Sequence, residues 1–258
     1  MFTRRQAITS VLATGACALY AEPSGGQSPG TPRSDIEWPA LVEGANYRLQ
    51  HIGSMRETIM GGKRQSRLNL RTLAGQAGLL GIGPLGGLTG EVTIVDGQAF
   101  LSRVSADGDI KVEESFDGGS PFFVWANVTA WQARPIPPTV RSYDDLERFL
   151  DVAVAEAGLS KACPFKVAGQ MDAVRLHVVD AKDDDPPGME HHAKIQKHFE
   201  RTALSATLVG FWSREHRGVF THMGSNIHVH VQAADNSVSG HVEKVLLGAG
   251  LQLMLPKV

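Results

Sequence analysis

The sequence predicts an α+β protein made mostly of antiparallel and mixed β-sheet, with few helices. Two segments, residues 91–104 and residues 226–247, each read as a pair of β-rich strands separated by a short turn. One segment, residues 142–157, carries a clear helix pattern between a start signal and a stop signal. Strands joined by short turns pair antiparallel, so antiparallel sheet is expected to dominate the fold.

The first 21 residues are typical of an export signal. In residues 1–21, Arg4 and Arg5 give a positive start, and residues 6–20 carry no charge and have an apolar centre. The Arg pair fits a twin-arginine signal, and an ordinary secretory signal is the alternative. The apolar stretch is too short to predict a stable membrane span. Residues 22–37 are predicted to be a flexible linker, and the mature chain is expected in the periplasm or outside the cell.

The composition excludes one class of partner. With 25 basic and 27 acidic residues the formal net charge is −2, and no long basic run indicates nucleic-acid binding. Beyond the export signal Cys163 is the only cysteine, so no internal disulfide is expected. The fold must then be held by its hydrophobic core and by any metal that it binds.

In the first half of the chain, the strongest predicted element is a hairpin. Residues 91–97 form a strand that ends in an Asp-Gly turn, and residues 98–104 form the return strand. The preceding glycine-rich stretch, residues 79–90, lacks both phosphate-loop spacings and indicates tight turns or close backbone contacts. Residues 56–60 predict a short helix, and residues 122–130 predict another strand.

In the second half, one helix precedes a series of strands. Ser142 is a good N-cap followed by acidic residues, and Gly158 is a stop signal for a helix through about Ala157. An acidic, Pro-rich loop at residues 183–188 interrupts the pattern. The predicted strands are residues 165–168, 173–179, 202–211, 226–233 and 238–247.

Three histidines are expected to share one patch on the last hairpin. Alternate side chains of a strand share a face, so His228 and His230 point to the same side. A two-residue turn at Asp235-Asn236 sets a register that places His241 directly opposite His230. Three imidazoles with an open fourth position are the catalytic form of a zinc site. Zinc (Zn2+) is therefore the expected cofactor, with copper, iron or nickel as alternatives.

Other polar residues lie near this patch in the sequence. The same register places Glu243 across from His228, where it could orient an imidazole, approach the metal or be solvated. His222, just before the metal strand, is either an added acid–base group or an ordinary loop histidine. His191, His192 and His198 lie in a polar stretch that is predicted to be helical, and we interpret them as solvated surface residues.

At these residues the chain resembles the α-acetolactate decarboxylase family. That family has an H-x-H strand and then a Gly-His pair that opens the next strand, matched here by His228, His230 and Gly240-His241. It also has a glycine-rich stretch followed by Gly-Glu-aliphatic and Asp-Gly, matched here by residues 81–97. The resemblance extends over about residues 51–256 and is sharpest at these two motifs.

The resemblance implies a two-part fold over residues 38–258, with an N-terminal β part over about 38–140 and a C-terminal metal-site part over about 141–258. It implies three histidine ligands, with Glu91 turned toward the metal. It also implies a small-molecule substrate, 2-acetolactate, converted to acetoin and carbon dioxide, and a homodimer. A metal that chelates two substrate oxygens would draw charge from the breaking C–C bond, while Glu91 manages a proton.

Two departures from the family bear on the reaction. Where the family has an arginine on a strand, this chain has His177, and either His177 or the nearby Arg175 could contact the substrate carboxylate. The family's glutamate in a C-terminal tail has no counterpart in residues 255–258, unless Glu243 or another residue replaces it. Both departures weaken the expectation of the same reaction and leave the expected metal site unchanged.

Three interpretations of the function stay open. The first is an exported acetolactate decarboxylase with Glu91 and His177 as catalytic residues. The second is another lyase or hydrolase with three histidine ligands, acting on a small hydroxy or keto acid. The third is an exported metal-binding protein without catalysis. Cupins also use H-x-H, but their usual glutamate four residues later corresponds to Ala234 here.

Overall fold

The described part of the chain, in a computed structural model, is residues 39–258. The export signal predicted over residues 1–21 and the linker predicted over residues 22–37 fall outside the described residues, and both stay predictions. Within residues 39–258 no helix is long and apolar enough to cross a bilayer.

A seven-stranded sheet is built from the first half of the described chain. All its pairings are antiparallel, and its strand order is β1-β2-β9-β4-β5-β6-β7, while β3 and β8 form a separate pair. The elements are β1 (Ala40–Gly44), β2 (Tyr47–Ile52), α1 (Met55–Ile59), β3 (Leu68–Asn69), β4 (Leu79–Pro84), β5 (Glu91–Val95), β6 (Gln98–Val104), β7 (Ile110–Glu114), β8 (Gly119–Ser120) and β9 (Phe123–Val128).

A six-stranded antiparallel sheet is built from the second half. Its order is β10-β15-β11-β12-β13-β14, and β14 also pairs with β11, so the four strands β11 to β14 close on themselves. The elements are β10 (Trp131–Pro135), α2 (Tyr143–Glu156), β11 (Cys163–Val179), α3 (Met189–Ile195), β12 (Gln196–Trp212), β13 (Ile227–Ala233), β14 (Ser239–Leu247) and β15 (Gln252–Pro256).

The predicted fold class, mostly antiparallel sheet with few helices, is confirmed. The turn between β5 and β6 has positive φ at both Asp96 (47°) and Gly97 (89°), as a primed hairpin turn requires. The helix α2 begins after Ser142, whose side chain forms a reciprocal capping box with Asp145. Gly158 follows its end with a φ of 73°.

The structure also differs from the predicted elements. The strands predicted at 165–168 and 173–179 are one continuous strand, β11, whose pairing with β14 shifts register near Met171. The glycine-rich stretch contains the buried strand β4, which glycine's weak strand preference conceals. A Cβ on Gly81 would lie 2.6 Å from the Phe123 ring, so the close backbone contact that was predicted there does occur.

Strand β5 faces two environments, and this positions the functional side chains. Val92 and Ile94 are fully buried in a hydrophobic cluster of the first sheet. Glu91 and Thr93 alternate with them and point to the other face. On that face, the Thr93 hydroxyl lies 3.0 Å from a nitrogen of His230 in β13 of the second sheet. The largest hydrophobic core joins residues of both sheets and α2, so the site lies beside well-packed structure.

The hairpin between β13 and β14 depends on Asn236. This residue has a φ of 61°, and its side-chain oxygen accepts a hydrogen bond from Gln232. We expect Asn236→Val to lower the free energy of unfolding by about 1–2 kcal/mol, because a β-branched residue fits poorly at positive φ. Asn236→Gly should change it by only a few tenths of a kcal/mol in urea titrations. A valine variant as stable as the parent protein would contradict this account of the turn.

Candidate metal centre

The predicted register of the last hairpin is confirmed. The ladder between β13 and β14 pairs His230 with His241, and Gln232 with Ser239. His228 and His230 lie two residues apart on β13, so the three histidines come together on one patch. Their side chains are buried, with relative exposures of 1% for His228, 0% for His230 and 5% for His241.

Two of these rings form hydrogen bonds to oxygen atoms on their outer side. His228 donates through Nδ1 to the backbone carbonyl of Phe220 (2.8 Å), and His230 Nδ1 lies 3.0 Å from the Thr93 hydroxyl. Their Nε2 atoms face inward. His230 Nε2 is buried and has no hydrogen-bond partner among the described residues. Metal-ligating histidines usually have one nitrogen bound to a neighbouring oxygen and the other directed at the metal, so these residues fit a metal.

The closest group of ring nitrogens differs in one member from the predicted ligands. It contains His222, His228 and His241, whose ligand atoms lie within 4.8 Å of one another, and it leaves out His230. His228 Nε2 lies 3.0 Å from Nδ1 of His241, and His222 Nε2 lies 2.8 Å from Nε2 of the same ring. His222 sits in a loop without sequence periodicity, so the sequence left open whether it belongs to the site, and the structure places it there.

Glu91 lies beside the histidines as a neutral carboxyl group. Its Oε2 is 3.8 Å from Nε2 of His230, and its Oε1 is 4.0 Å from Nε2 of His177. Burial raises the pKa of Glu91 to about 8, although a hydrogen bond from the backbone of Val179 opposes the shift. The preceding Gly90 has a φ of 156°, and a Cβ there would lie 2.3 Å from a backbone oxygen, so only glycine fits this approach.

His177 links the patch to Glu243. The rings of His177 and His241 stack with centroids 4.5 Å apart, and Nδ1 of His177 lies 3.1 Å from Oε1 of Glu243. Arg175 Nε (2.9 Å) and His198 Nδ1 (3.0 Å) approach the same carboxylate. The hydrogen bond to His177 is the largest cause that lowers the pKa of Glu243, to about 2.

The predicted contact between Glu243 and His228 was wrong. The ladder between β13 and β14 reaches only to His230 and His241. Beyond that point β14 follows β11, where the register shifts between Arg175 and Leu176. This irregularity turns Glu243 toward His177 instead of His228. A register extended from the turn cannot reveal it, because the cause is a third strand.

A cavity of about 290 Å³ opens onto this patch. The interpretation of His192 as solvated surface was wrong, since His192 lines this cavity. Arg175 does not line it, and none of the lining residues within 39–258 is Arg or Lys. The polar lining residues are Glu91, His177, His192, Gln196, His222, His228 and His241. The apolar ones are Met55, Ile59, Pro84, Leu88, Phe122, Val179, Met189 and Met223.

Comparison with known protein families identifies one match. The model of the family described as alpha-acetolactate decarboxylase matches residues 51–255 of this chain. That range contains all the histidines of the patch, together with Glu91 and Glu243. Among curated protein sequences, none matches the chain significantly.

Solved structures show the same fold. A Staphylococcus aureus protein of unknown function, described as similar to alpha-acetolactate decarboxylase, superposes with a TM-score of 0.66 at 20% identity, covering 80% of this chain and 84% of that one. Alpha-acetolactate decarboxylase from Bacillus subtilis strain 168 superposes with a TM-score of 0.64 at 19% identity, covering 81% of this chain and 85% of that one. The enzyme from Bacillus subtilis subspecies spizizenii gives 0.64 at 18% identity, with the same shares covered.

The buried imidazoles predict how stability depends on pH. Burial lowers the pKa of His222 to about 4 and that of His230 to about 3, and it lowers the pKa of His177, His228 and His241 as well. Unfolded histidines take up protons near pH 6.5 while these stay neutral. In the metal-free protein, the free energy of unfolding should therefore fall as the pH decreases from 6.5 toward 4.

Each imidazole that stays neutral in the folded state adds about 1.4 kcal/mol per pH unit to this fall. Glu91 acts in the opposite direction, because the folded state holds its proton at a pH where the unfolded state has lost it, and it cancels the effect of about one imidazole. Urea titrations with EDTA at pH 7, 6 and 5 measure the slope. His222→Asn should reduce the slope of the free energy of unfolding against pH by about 1.4 kcal/mol per pH unit, the contribution of one imidazole. Stability that stays constant or rises between pH 6.5 and pH 5 would show that the rings are not held neutral.

Proposed function

The chain belongs to the alpha-acetolactate decarboxylase family, and on that premise we propose that it is a metal-dependent carboxy-lyase that converts 2-acetolactate to acetoin and carbon dioxide. One observation carries the proposal. The buried carboxyl group of Glu91 lies 3.8 Å from His230 Nε2, a buried ring nitrogen with no hydrogen-bond partner among the described residues. A candidate metal ligand and a candidate proton donor are thus next to each other, and Glu91 also lines the cavity together with His228 and His241.

The proposed ligands are Nε2 of His228, Nε2 of His230 and Nδ1 of His241. The first two nitrogens face inward because Nδ1 of each ring is bound elsewhere. An ion beside His228 meets Nδ1 of His241, whereas His222 lies at the opposite nitrogen of that ring. We therefore assign His222 as the acceptor that orients His241, not as a ligand. A divalent metal, zinc by the preference of imidazole ligands, would supply a Lewis acid that polarises the substrate's oxygens.

Glu91 holds the proton that the product needs. When the bond between the carboxylate carbon and the hydroxyl-bearing carbon breaks, carbon dioxide leaves and the electron pair is shared with the neighbouring ketone. Uptake of one proton at the hydroxyl-bearing carbon then gives acetoin. In the metal-free protein burial raises the pKa of Glu91 to about 8, so this carboxyl group is suited to hold a proton near neutral pH and to donate it.

His177 is positioned to act on Glu91. The ionised Glu243 accepts the Nδ1 hydrogen of His177, which leaves the lone pair of Nε2 directed toward Glu91 Oε1 at 4.0 Å. Arg175 is engaged with Glu243 and lies outside the cavity lining. Among the described residues that line the cavity, no guanidinium group is therefore available to the substrate carboxylate.

This lack of a cationic side chain in the cavity lining supports a second candidate function. The same metal and proton donor could serve a lyase for another small hydroxy-keto acid. Such an enzyme would release carbon dioxide from that acid and leave 2-acetolactate unchanged. Carbon dioxide release from a panel of 2-hydroxy-3-oxo acids distinguishes the two candidates.

We expect the zinc-loaded protein to form acetoin from racemic 2-acetolactate, to lose this activity with EDTA and to regain it with added zinc. Glu91→Gln should lower kcat at least about 100-fold and keep the metal, because it removes the donated proton. His230→Ala should lose the metal itself. Acetoin assays combined with elemental analysis measure both effects.

His191→Gln is the matched control, since His191 does not line the cavity and pairs with Asp185. It should retain metal and activity. A Glu91→Gln protein without metal would overturn the assigned role of Glu91. A protein that binds zinc stoichiometrically but turns over no hydroxy-keto acid would be a binding protein and not an enzyme.

We expect Glu243→Gln to lower kcat by about 10-fold to 100-fold with unchanged metal content. The neutral amide no longer stabilises charge on His177, although it can still accept its hydrogen bond. Glu200→Gln is the control, because the exposed Glu200 contacts Arg175 only at 3.8 Å. Steady-state kinetics should show the loss in kcat and not in KM. Equal kcat values for the parent protein and Glu243→Gln would show that Glu243 has no role in the reaction.

A further inference from the structure

Part of the cavity is apolar, and the proposed reaction makes no use of it. Met55, Ile59 and Phe122 form a small hydrophobic cluster, with relative exposures of 5–6%. This cluster is separate from the two large cores of the protein, yet all three side chains line the cavity. Their place in the cavity wall puts these three side chains within reach of an apolar group bound there.

A second small cluster lines the same cavity. It contains Leu88 and Val179, both with relative exposures of 2%, and it is also separate from the large cores. Val179 ends β11, the strand that carries His177. The apolar wall is therefore continuous with the chain segment that holds a proposed catalytic residue. An apolar group bound here would lie next to the reacting atoms.

Two methionines add to the apolar lining from exposed positions. Met189 is 46% exposed and Met223 is 39% exposed, although both line the cavity. Large apolar side chains exposed beside a pocket are typical of binding surfaces. Methionine is flexible and polarisable, so it adapts to apolar ligands of different shape. A ligand with an apolar tail would cover both side chains.

The size of the cavity supports the same inference. A volume of about 290 Å³ is close to the lower limit of pockets that bury a drug-sized ligand. An acid whose only hydrocarbon groups are methyl groups would leave much of this apolar wall in contact with water. Burial of apolar area is favourable, so a longer hydrocarbon group would bind more tightly.

We propose that, besides 2-acetolactate, the site accepts and prefers 2-hydroxy-3-oxo acids whose second carbon carries an alkyl chain longer than ethyl. This inference rests on the proposed function and specifies its substrate. The alkyl chain is the only substituent of that carbon without oxygen, so it turns away from the histidines and Glu91. It lies between Phe122 and Val179, and the two exposed methionines cover its end.

The test is a homologous series of 2-alkyl-2-hydroxy-3-oxobutanoates with methyl, ethyl, propyl and butyl groups, assayed with the zinc-loaded protein. We expect kcat/KM to rise about fourfold for each methylene group, which is the gain from burying one methylene. A series that is flat, or highest for methyl, overturns the inference and leaves the decarboxylase function standing.

Binding measurements keep the test decisive if no compound is turned over. Reduction of the ketone to an alcohol gives analogues that cannot decarboxylate, and calorimetry gives their Kd. A Kd that falls from methyl to butyl supports the apolar pocket while the proposed function fails. A Kd that does not change with chain length overturns the pocket as well.

Met223→Gln tests the covering of the alkyl chain at an exposed position where folding is not at risk. It should lower the ratio of kcat/KM for butyl over methyl at least about threefold. Met60→Gln is the matched control, since Met60 is 50% exposed and does not line the cavity. Equal ratios in the two variants would remove Met223 from the substrate site and count against the inference.

Discussion

The register of one hairpin, between β13 and β14, decides whether the site exists. The turn over residues 234–237, longer than the predicted two-residue turn at Asp235-Asn236, keeps the register that aligns His230 with His241. A slip of one residue would turn His241 to the opposite face, because side chains of a strand alternate. The positive φ of Asn236 and its hydrogen bond to Gln232 stabilise this turn, and through the strand register they fix the positions of histidines several residues away. The other parts of the site are arranged around this pair.

Burial then gives the charged groups of the site different tasks. Glu91 is buried without a charged partner, and its pKa is raised to about 8. Glu243 is partly solvated and bonded to His177 and Arg175, and its pKa is lowered to about 2. One carboxyl group thus keeps a proton at neutral pH while the other stays ionised. His177 lies between the two carboxyl groups, with the ionised Glu243 on one side and the protonated Glu91 on the other.

Local patterns in the sequence predicted the parts of this site that depend on few residues. The hairpin register needs only the residues from His228 to His241, and the helix α2 needs only its caps. For His222 and Glu243 such patterns left a role in the site and a solvated or loop position as open alternatives. His222 reaches the site through a loop, and Glu243 is turned by the irregular pairing of β14 with β11. Both depend on contacts between segments far apart in the chain.

His177 stands where the family resemblance predicts an arginine, and a histidine there is consistent with the chemistry of decarboxylation. The substrate carboxylate is charged at the start of the reaction and becomes neutral carbon dioxide. A guanidinium group that holds the carboxylate stabilises the bound substrate more than the transition state, and such binding does not raise kcat. The described cavity wall contains no Arg or Lys and is lined by Phe122, Val179 and methionines. It therefore does not stabilise the charged substrate over the transition state. Binding energy is then supplied by hydrocarbon contacts, which remain the same while the charge disappears. Affinity and catalysis would thus reside in separate parts of one cavity.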